Sequence, residues 1–291
     1  MPSVTQAPPA IADIASVECE ITARCDLACS HCCTVSGPRM GHGTMSLDDW
    51  RKAVDDIAAL GIPLVQFIGG EPTLSPYLSA LVDHALDREL GVEVYSNLTH
   101  IRPAMWTLFE RNGVRLATSY YSNDPAQHDQ VTTRPGSHAR TRANLVEALH
   151  RGIPVRVGIV EVLDGQRIKE AKAELRALGV QRIKIDRARP VGRAADPTAP
   201  EPSVSDLCGR CFHQRAAISP DGEVYGCILS RHLPAGNAKR EGLATVLTGT
   251  KWAEIMARVP DARNACTPAD SSDCDPASTP ACLPKYPSEE H

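Results

Sequence analysis

Hydrophobic positions along the chain alternate between two patterns. Short runs rich in Val, Ile and aromatic residues have the composition of buried strands. The six predicted strands are Val17–Thr22, Pro63–Ile68, Val92–Ser96, Val114–Tyr120, Pro154–Val162 and Arg182–Asp186. Stretches with apolar residues at helical spacing lie between consecutive predicted strands. The predicted helices are Ser46–Leu60, Pro76–Leu86, Pro103–Arg111, Thr141–Arg151 and Arg167–Leu178.

The ends of these helices carry the expected signals. Ser46 followed by Asp49 predicts a capping box at the start of the first helix. A glycine follows four of the helices, where the chain commonly turns left-handed, at Gly61, Gly113, Gly152 and Gly179.

Strands that alternate with helices predict a parallel sheet with right-handed crossovers. Six units are too few for a closed eight-unit barrel, so we expect an open partial barrel or a doubly wound sheet. In both folds, functional groups gather where the strands end. The cysteines 25, 29 and 32 follow the first predicted strand, Gly69–Pro72 the second, and Ser96 and Asn97 end the third.

The pattern divides the chain into three parts. Residues 1–12 are rich in Pro and Ala and are predicted to be a flexible tail. Residues 13–196 contain the strand–helix units. Prolines at 197, 200 and 202 predict a linker into a third part, residues 197–291, with a hairpin at Asp221-Gly222 and a last helix within Gly242–Arg258.

Composition excludes several classes of protein. The net charge of −4 over 291 residues does not indicate the basic surface that is typical of nucleic-acid binding. We see no signal peptide and no apolar run near the ~18 residues that a membrane span requires. We therefore expect a cytoplasmic protein with no nucleic-acid or membrane partner.

The cysteines are concentrated at the two ends of the sequence. In a reducing compartment, clustered cysteines indicate metal ligands or catalysts more often than disulfides. None of the eleven falls between residues 34 and 207, so we expect two metal regions that flank one scaffold.

The first region contains Cys25, Cys29 and Cys32, with the spacing C-x3-C-x2-C. Three thiolates at this spacing can hold one side of a [4Fe–4S] cluster and leave the fourth iron open to another ligand. The spacing alone also allows a zinc site that takes a fourth ligand from His31 or Cys33. Cys19 and Cys33 are otherwise expected to be packing or accidental thiols.

The segment Cys25–Cys32 resembles the signature of the radical S-adenosylmethionine (SAM) enzymes. Gly69-Gly70-Glu71-Pro72 resembles the GGEP motif of that family, which holds the SAM amino group. Ser96 and Asn97 lie where the family contacts the SAM ribose. Arg187 and Val191–Ala194 resemble the end of its sixth strand, where Arg187 would contact the SAM carboxylate in competition with Arg189 and Arg193.

The resemblance implies a partial (β/α)6 radical SAM barrel and its chemistry. The cluster would donate one electron to SAM, and the resulting 5′-deoxyadenosyl radical would abstract hydrogen from a substrate. Glu71 would accept a charge-assisted hydrogen bond from the SAM ammonium, and Gly69 and Gly70 would allow close approach of the backbone. No catalytic residue is assigned beyond the cluster and SAM ligands. His128 and Asp129 are expected either to touch substrate or to stabilise a loop.

The second cysteine region resembles the start of a SPASM or twitch extension, which binds auxiliary iron–sulfur clusters. Six cysteines allow one complete cluster or two clusters with three ligands each, and we expect at least one. A structural zinc knuckle is the alternative. The candidate ligands are Cys208, Cys211, Cys227, Cys266, Cys274 and Cys282.

Resemblance to SPASM and twitch enzymes implies a ribosomally made peptide as substrate, modified by crosslinking, epimerisation or a related change. Only about sixteen residues precede the first strand, so a leader peptide would need a separate binding partner or direct docking. A flavodoxin- or ferredoxin-type protein would supply electrons. The alternatives are a radical SAM enzyme acting on a small molecule, and a non-catalytic metal-binding interaction protein.

Overall fold

The computed structural model describes residues 11, 13–196, 198, 202–204, 207 and 209–261. The predicted tail, apart from Ile11, therefore lies outside the described residues. The strands are β1 (Ser16–Glu20), β2 (Leu64–Ile68), β3 (Gly91–Tyr95), β4 (Val114–Ser119), β5 (Val155–Glu161), β6 (Arg182–Arg187), β7 (Arg215–Ile218), β8 (Glu223–Tyr225) and β9 (Gly236–Asn237). The first six confirm the predicted strands to within two residues at each end.

The helices surround the sheet. They are α1 (Leu47–Ala59), α2 (Leu78–Asp87), α3 (Pro103–Phe109), α4 (Pro125–Thr132), α5 (Ser137–His150), α6 (Ile168–Ala177), α7 (Ala238–Glu241), α8 (Leu243–Thr248) and α9 (Thr250–Arg258). Short 3-10 turns form at Pro72–Leu74 and Gly192–Ala194. The capping box of α1 is present, with the Asp49 amide donating to the Ser46 hydroxyl and the Ser46 amide to the Asp49 carboxylate.

Two helix predictions need correction. Helix α4 was not predicted, because it is short and only weakly amphipathic; its signals are Asp124, which caps it, and Pro125 at its first position. The last helix predicted within Gly242–Arg258 is present as two shorter helices, α8 and α9. Gly249, which is extended, separates them, and Gly242, where φ is 82°, separates α8 from α7.

One sheet contains all nine strands that the described residues form, in the order β6-β5-β4-β3-β2-β1-β7-β8-β9. Strands β1 to β6 are parallel, with Val17 opposite Val65 and Leu116 opposite Val155. The expected partial barrel of six strand–helix units is therefore confirmed. Its core consists of apolar residues between the sheet and the helices, including Trp50, Phe67 and Phe109.

The segment after residue 196 continues the same sheet. Strand β7 pairs in parallel with β1, with Cys19 opposite Ile218, and the predicted hairpin at Asp221-Gly222 joins β7 to the antiparallel β8. The predicted boundary between residues 196 and 197 therefore separates two parts of the sequence that belong to one sheet. The pairing of β1 with β7 joins them. Among the described helices, none has the length and apolar character required to cross a membrane.

Candidate active site

A cavity of about 350 Å³ opens at the carboxyl ends of the strands. It brings together residues that lie far apart in the sequence, as expected for a parallel sheet. Of the predicted site residues, those that line the cavity are Cys25, Cys29, Cys32, Gly69, Gly70, Asn97, Arg187 and Cys227.

The three cysteines lie on an excursion after β1 that we call the cysteine loop, residues 24–37. Its ends meet in a backbone bridge between Arg24 and Gly37. The amide of Leu27 donates to Cys25 Sγ at 3.4 Å, and the amide of Cys32 donates to the carbonyl of Cys29 at 3.2 Å. All three cysteines line the cavity.

Other elements hold the cysteine loop in place. The carbonyls of Val131 and Thr132, at the end of α4, accept from the amides of Ser30 and Ala28 at 3.0 and 3.4 Å. Arg193 crosses from the opposite side. Its Nε donates to the Cys29 carbonyl at 2.8 Å and its terminal nitrogen to the Ser36 carbonyl at 2.7 Å. Arg193 therefore acts as a clamp on the loop backbone.

Burial changes the chemistry of the thiols. It is the main cause that raises the pKa of Cys25 above the ordinary range of a thiol and that of Cys29 to about 12. Both groups are therefore neutral unless a cation compensates the thiolate charge. Iron supplies such a cation, and ligation releases the thiol proton.

Within the described part of the chain, no three cysteine, histidine or carboxylate side chains converge on a point that one metal ion could occupy. Each cysteine that holds a [4Fe–4S] cluster binds a separate iron atom. The three thiols on one short loop fit the cluster.

Gly69 and Gly70 bring the end of β2 against the residues that follow β1. A Cβ atom at Gly69 would lie 2.4 Å from the Thr22 carbonyl oxygen, and one at Gly70 would lie 2.4 Å from that of Arg24. The amide of Gly70 donates to Thr22 at 2.8 Å, and the amide of Glu71 donates to Arg24 at 2.8 Å. Glycine is required because any larger residue would separate these backbones.

Glu71 is buried, and its carboxylate accepts hydrogen bonds from the protein itself. Oε1 accepts from the amide and hydroxyl of Thr73 at 3.1 and 2.7 Å and from the Ser96 hydroxyl at 2.9 Å; Oε2 accepts from the Asn97 amide at 2.7 Å. Burial nevertheless raises its pKa to about 7. Glu71, Ser96 and Pro72 do not line the cavity. Glu71 therefore ties the turn after β2 to the end of β3, and its contact with the SAM ammonium stays a prediction.

Asn97 lines the cavity and also supports the cysteine loop. Its Nδ2 donates to Asp26 Oδ1 at 2.7 Å, and the Thr99 hydroxyl donates to the other oxygen of Asp26 at 2.6 Å. Arg134 donates to the Asp26 carbonyl at 2.6 Å. Asp26 was not singled out in the sequence, although its place beside Cys25 was a signal.

His128 and Asp129 have different positions. Asp129 accepts from the amide of Gly136, the hydroxyl of Ser137 and the amide of His138 at 2.6 to 2.9 Å, which fixes the loop before α5. His128 lines the cavity, and burial lowers its pKa to about 4, so it is neutral at physiological pH. Asp129 therefore has the expected loop-stabilising role, and contact of His128 with substrate stays a prediction.

The second cysteine region is only partly described. Cys208, Cys266, Cys274 and Cys282 lie outside the described residues. Cys211 and Cys227 are joined as a disulfide, with their Cα atoms 5.1 Å apart. A disulfide cannot ligate iron, but the two thiolates of a reduced pair would lie close enough to bind one cluster. Their assignment as ligands stays a prediction.

Two buried carboxylates of β1 form hydrogen bonds and ion pairs with residues near Cys227. Glu18 accepts from Arg215 at 3.2 Å and from the amide of Ile228 at 3.1 Å, and Glu20 pairs with Arg231. These contacts are not among those that the sequence pattern predicts. The signal was the alternation of Glu18 and Glu20 with apolar residues in a strand that is otherwise buried.

The model of the radical SAM superfamily matches residues 19–178. This match covers more than half of the chain. The chain belongs to the radical SAM superfamily. A second model, that of the SPASM iron–sulfur cluster-binding domain, matches residues 208–275 and confirms the resemblance of the second cysteine region.

Known proteins are similar over parts of their length. Mycofactocin maturase MftC of Mycobacterium tuberculosis is 30% identical, covering 77% of this chain and 67% of the maturase. AdoMet-dependent heme synthase of Methanosarcina barkeri is 30% identical, covering 43% of this chain and 36% of the synthase. The structure of Streptococcus suis SuiB bound to precursor peptide SuiA shares the fold, with a TM-score of 0.70, 14% identity, and coverage of 84% of this chain and 67% of SuiB. The chain thus spans between about a third and two thirds of the curated relatives described here.

The cofactors of this radical SAM protein follow from the two domains. They are SAM, the [4Fe–4S] cluster that binds it, and iron–sulfur in the SPASM cluster-binding domain. The fit to the first cluster rests on three thiols of one loop facing a cavity beside the close glycine pair.

Proposed function

We propose that this chain reductively cleaves SAM and uses the radical to modify a ribosomally made peptide. The observation that carries the proposal is the meeting of Cys25, Cys29 and Cys32 with Gly69 and Gly70 in one cavity. These residues come from two different βα loops, and the sheet places them at one edge. Loss of SAM cleavage on removal of the three thiols is the corresponding test.

The chain's own residues have distinct tasks in this reaction. When bound, the cluster and SAM supply the 5′-deoxyadenosyl radical. Cys25, Cys29 and Cys32 hold the cluster, and the Gly69-Gly70 backbone leaves room for the methionyl end of SAM. Arg187, which lines the cavity at the end of β6, is the proposed partner of the SAM carboxylate. Buried side chains around the cavity exclude water from the radical.

Support for a peptide substrate comes from the relatives. The maturase MftC shares 30% identity over most of this chain, and the SuiB structure contains its precursor peptide. Within the proposal, residues 13–196 form the catalytic barrel and residues 197–291 the auxiliary-cluster extension. Cys211 and Cys227 in reduced form, with Cys208 and one distal cysteine, are the proposed auxiliary ligands. A flavodoxin or ferredoxin type of donor supplies the electron, and the leader peptide binds either through a separate partner protein or by direct docking.

The first experiment measures 5′-deoxyadenosine released from SAM by anaerobically reconstituted protein with dithionite. Wild type is expected to release it, and a Cys25/Cys29/Cys32→Ala variant is expected to release none. Release by the triple variant, or none by an iron-loaded wild type, would contradict the proposed function.

The substrate class is tested separately by mass spectrometry. Short peptides encoded beside the gene are incubated with the enzyme, SAM and reductant. A mass change in a peptide that depends on Cys29 supports the peptide substrate. SAM cleavage that is stimulated only by small metabolites would refute it and favour the small-molecule alternative.

A further inference from the structure

Charged side chains lie deep inside the barrel as well as at the ends of its strands. Arg156, the second residue of β5, lines the cavity, and 29% of its side chain is exposed. Because a strand rises about 3.3 Å per residue, its Cα atom lies roughly 16 Å before the carboxyl end of β5. Arg187, the proposed partner of the SAM carboxylate, instead ends β6, opposite the last residue of β5. Arg156 therefore belongs to the floor of the cavity and Arg187 to its rim.

The guanidinium of Arg156 is fixed on two sides. Its Nε and Nη2 donate to the two oxygens of Glu93 at 2.9 and 2.7 Å, and its Cζ lies 5.3 Å from the centre of the Tyr95 ring. A guanidinium has five N–H donors, and Glu93 uses two of them. Among the residues that the structure describes, none accepts a hydrogen bond from Nη1. The remaining edge of the guanidinium is therefore held in place for a further acceptor.

Glu93 leaves this cluster with a surplus of positive charge. Arg115 of β4 also donates to Glu93, from Nε to Oε2 at 2.9 Å, so two guanidinium groups share one carboxylate. Burial opposes ionisation of Glu93, but the contacts with Arg156 and Arg115 lower its pKa, so it is charged at neutral pH. The three side chains together carry one net positive charge. Of the two arginines, only Arg156 lines the cavity.

Further donors surround the open edge of Arg156. Gly158 lies on the same face of β5, and the register places Lys184 of β6 opposite Gly158. The hydroxyls of Tyr95 and Ser119 are 3.0 Å apart, and a Cβ atom at Gly158 would lie 3.0 Å from that of Tyr95, so glycine leaves room beside it. The bond between the two hydroxyls uses one of their protons and leaves the other to donate. All of these residues line the cavity.

The carboxylates that line the cavity are already paired. Among the described residues of its wall, the acidic ones are Glu18 and Asp186. Glu18 accepts from Arg215 at 3.2 Å, and Asp186 accepts from Arg189 at 3.1 Å. The floor is therefore richer in donors and positive charge than in acceptors.

We propose that Arg156, together with Lys184 and the Tyr95 hydroxyl, binds a carboxylate of the peptide substrate at the floor of the cavity. A carboxylate presents two oxygens to the planar guanidinium and accepts charge-assisted hydrogen bonds from it. A peptide offers this group either on an Asp or Glu side chain or at its C-terminus. Its capture at the floor would hold the adjoining part of the peptide between the floor and the cysteine loop. This inference rests on the proposed function, because it requires a peptide substrate.

The experiment is affinity selection from random peptide libraries on anaerobically reconstituted protein with SAM and without reductant, so that SAM stays intact. One library is amidated at the C-terminus, the other has a free carboxylate there, and mass spectrometry identifies the retained peptides. Wild type is expected to enrich peptides with Asp or Glu from the amidated library, which assigns a side chain, or peptides with a free C-terminus, which assigns that carboxylate.

The variants locate the site. Arg156→Gln should reduce the enrichment about tenfold or more. Arg115→Gln is the matched control, because it removes the other guanidinium of Glu93 without changing the wall of the cavity, and it should enrich peptides as wild type does.

Three results would overturn the proposal: no enrichment of either carboxylate by wild type, an equal loss in Arg115→Gln, or loss of SAM binding in Arg156→Gln, which would assign Arg156 to SAM. If Arg156→Gln does not fold, Arg156→Lys and Lys184→Gln decide, and undiminished enrichment in both refutes the site. Failure of the proposed function gives a different result. In that case wild type releases no 5′-deoxyadenosine with dithionite, whichever peptides it retains.

Discussion

Replacement of Gly192 by alanine tests whether the turn after β6 holds the cysteine loop. Gly192 has φ of 61°, and a Cβ atom there would lie 2.2 Å from the Cys32 carbonyl oxygen and 2.7 Å from the backbone of Cys33. Backbone atoms cannot move aside as a flexible side chain can. The turn must therefore retreat from the loop.

The free-energy cost of Gly192→Ala follows from the backbone strain and from the hydrogen bonds that are lost. Alanine in a left-handed conformation costs about 1–2 kcal/mol. Retreat of the turn also breaks the two hydrogen bonds of the Arg193 guanidinium to the carbonyls of Cys29 and Ser36. Hydrogen bonds from a charged donor contribute about 1.5–3 kcal/mol each. Loss of both bonds therefore removes about 3–6 kcal/mol of the free energy that holds the cysteine loop in place.

Gly152→Ala provides the matched control. Gly152 has φ of 70°, nearly the same conformation, and nothing lies within 4 Å of its added Cβ. Its substitution should therefore cost only the conformational term of about 1–2 kcal/mol. The difference between the two variants isolates the contact with the cysteine loop.

The assay is the rate of iron release to a chelator from reconstituted protein, together with the thermal midpoint of unfolding. Gly192→Ala should release the iron of the first cluster much faster than Gly152→Ala, which should resemble wild type. Equal rates of release in the two variants would refute the idea that the turn clamps the loop.

Three further predictions concern the cluster ligands and Glu71. Cys29→Ala should remove about four irons and all SAM cleavage, whereas Cys19→Ala, a buried thiol in β1, should retain both; iron analysis decides. Cys227→Ala should still cleave SAM but form no product, and product formation in that variant would make the auxiliary site structural. The pKa of Glu71 is raised from 4.5 to about 7, so its contribution to stability is present below pH 4.5 and falls by about 3 kcal/mol as pH rises through 7. Urea unfolding of SAM-free protein should show this pH dependence in wild type and not in Glu71→Gln, and identical pH profiles would show that burial does not perturb Glu71.

Much of the barrel could be predicted from local signals. The first six strands and five helices repeat a unit of apolar strand, loop and amphipathic helix, with caps such as that at Ser46. Local pattern failed for α4, since its eight residues have weak amphipathicity and their position depends on packing against the cysteine loop. It also did not show that the last predicted helical segment is divided into α8 and α9 at the extended Gly249.

The sequence by itself was sufficient to indicate the family and the kind of cofactor, because the cysteine spacing and the glycine pair are local and chemically restrictive. Only the tertiary structure decided which groups face one another. Strand β7 joins β1 because the edge of β1 is open to a partner almost two hundred residues later, and no local signal encodes that pairing. In the same way, the sequence places Tyr120 beside Tyr121, but only Tyr121 lines the cavity, whereas the Tyr120 hydroxyl donates to Glu174. The direction of a side chain at the end of a strand depends on packing against residues that are far away in the sequence. A local sequence pattern therefore does not predict it.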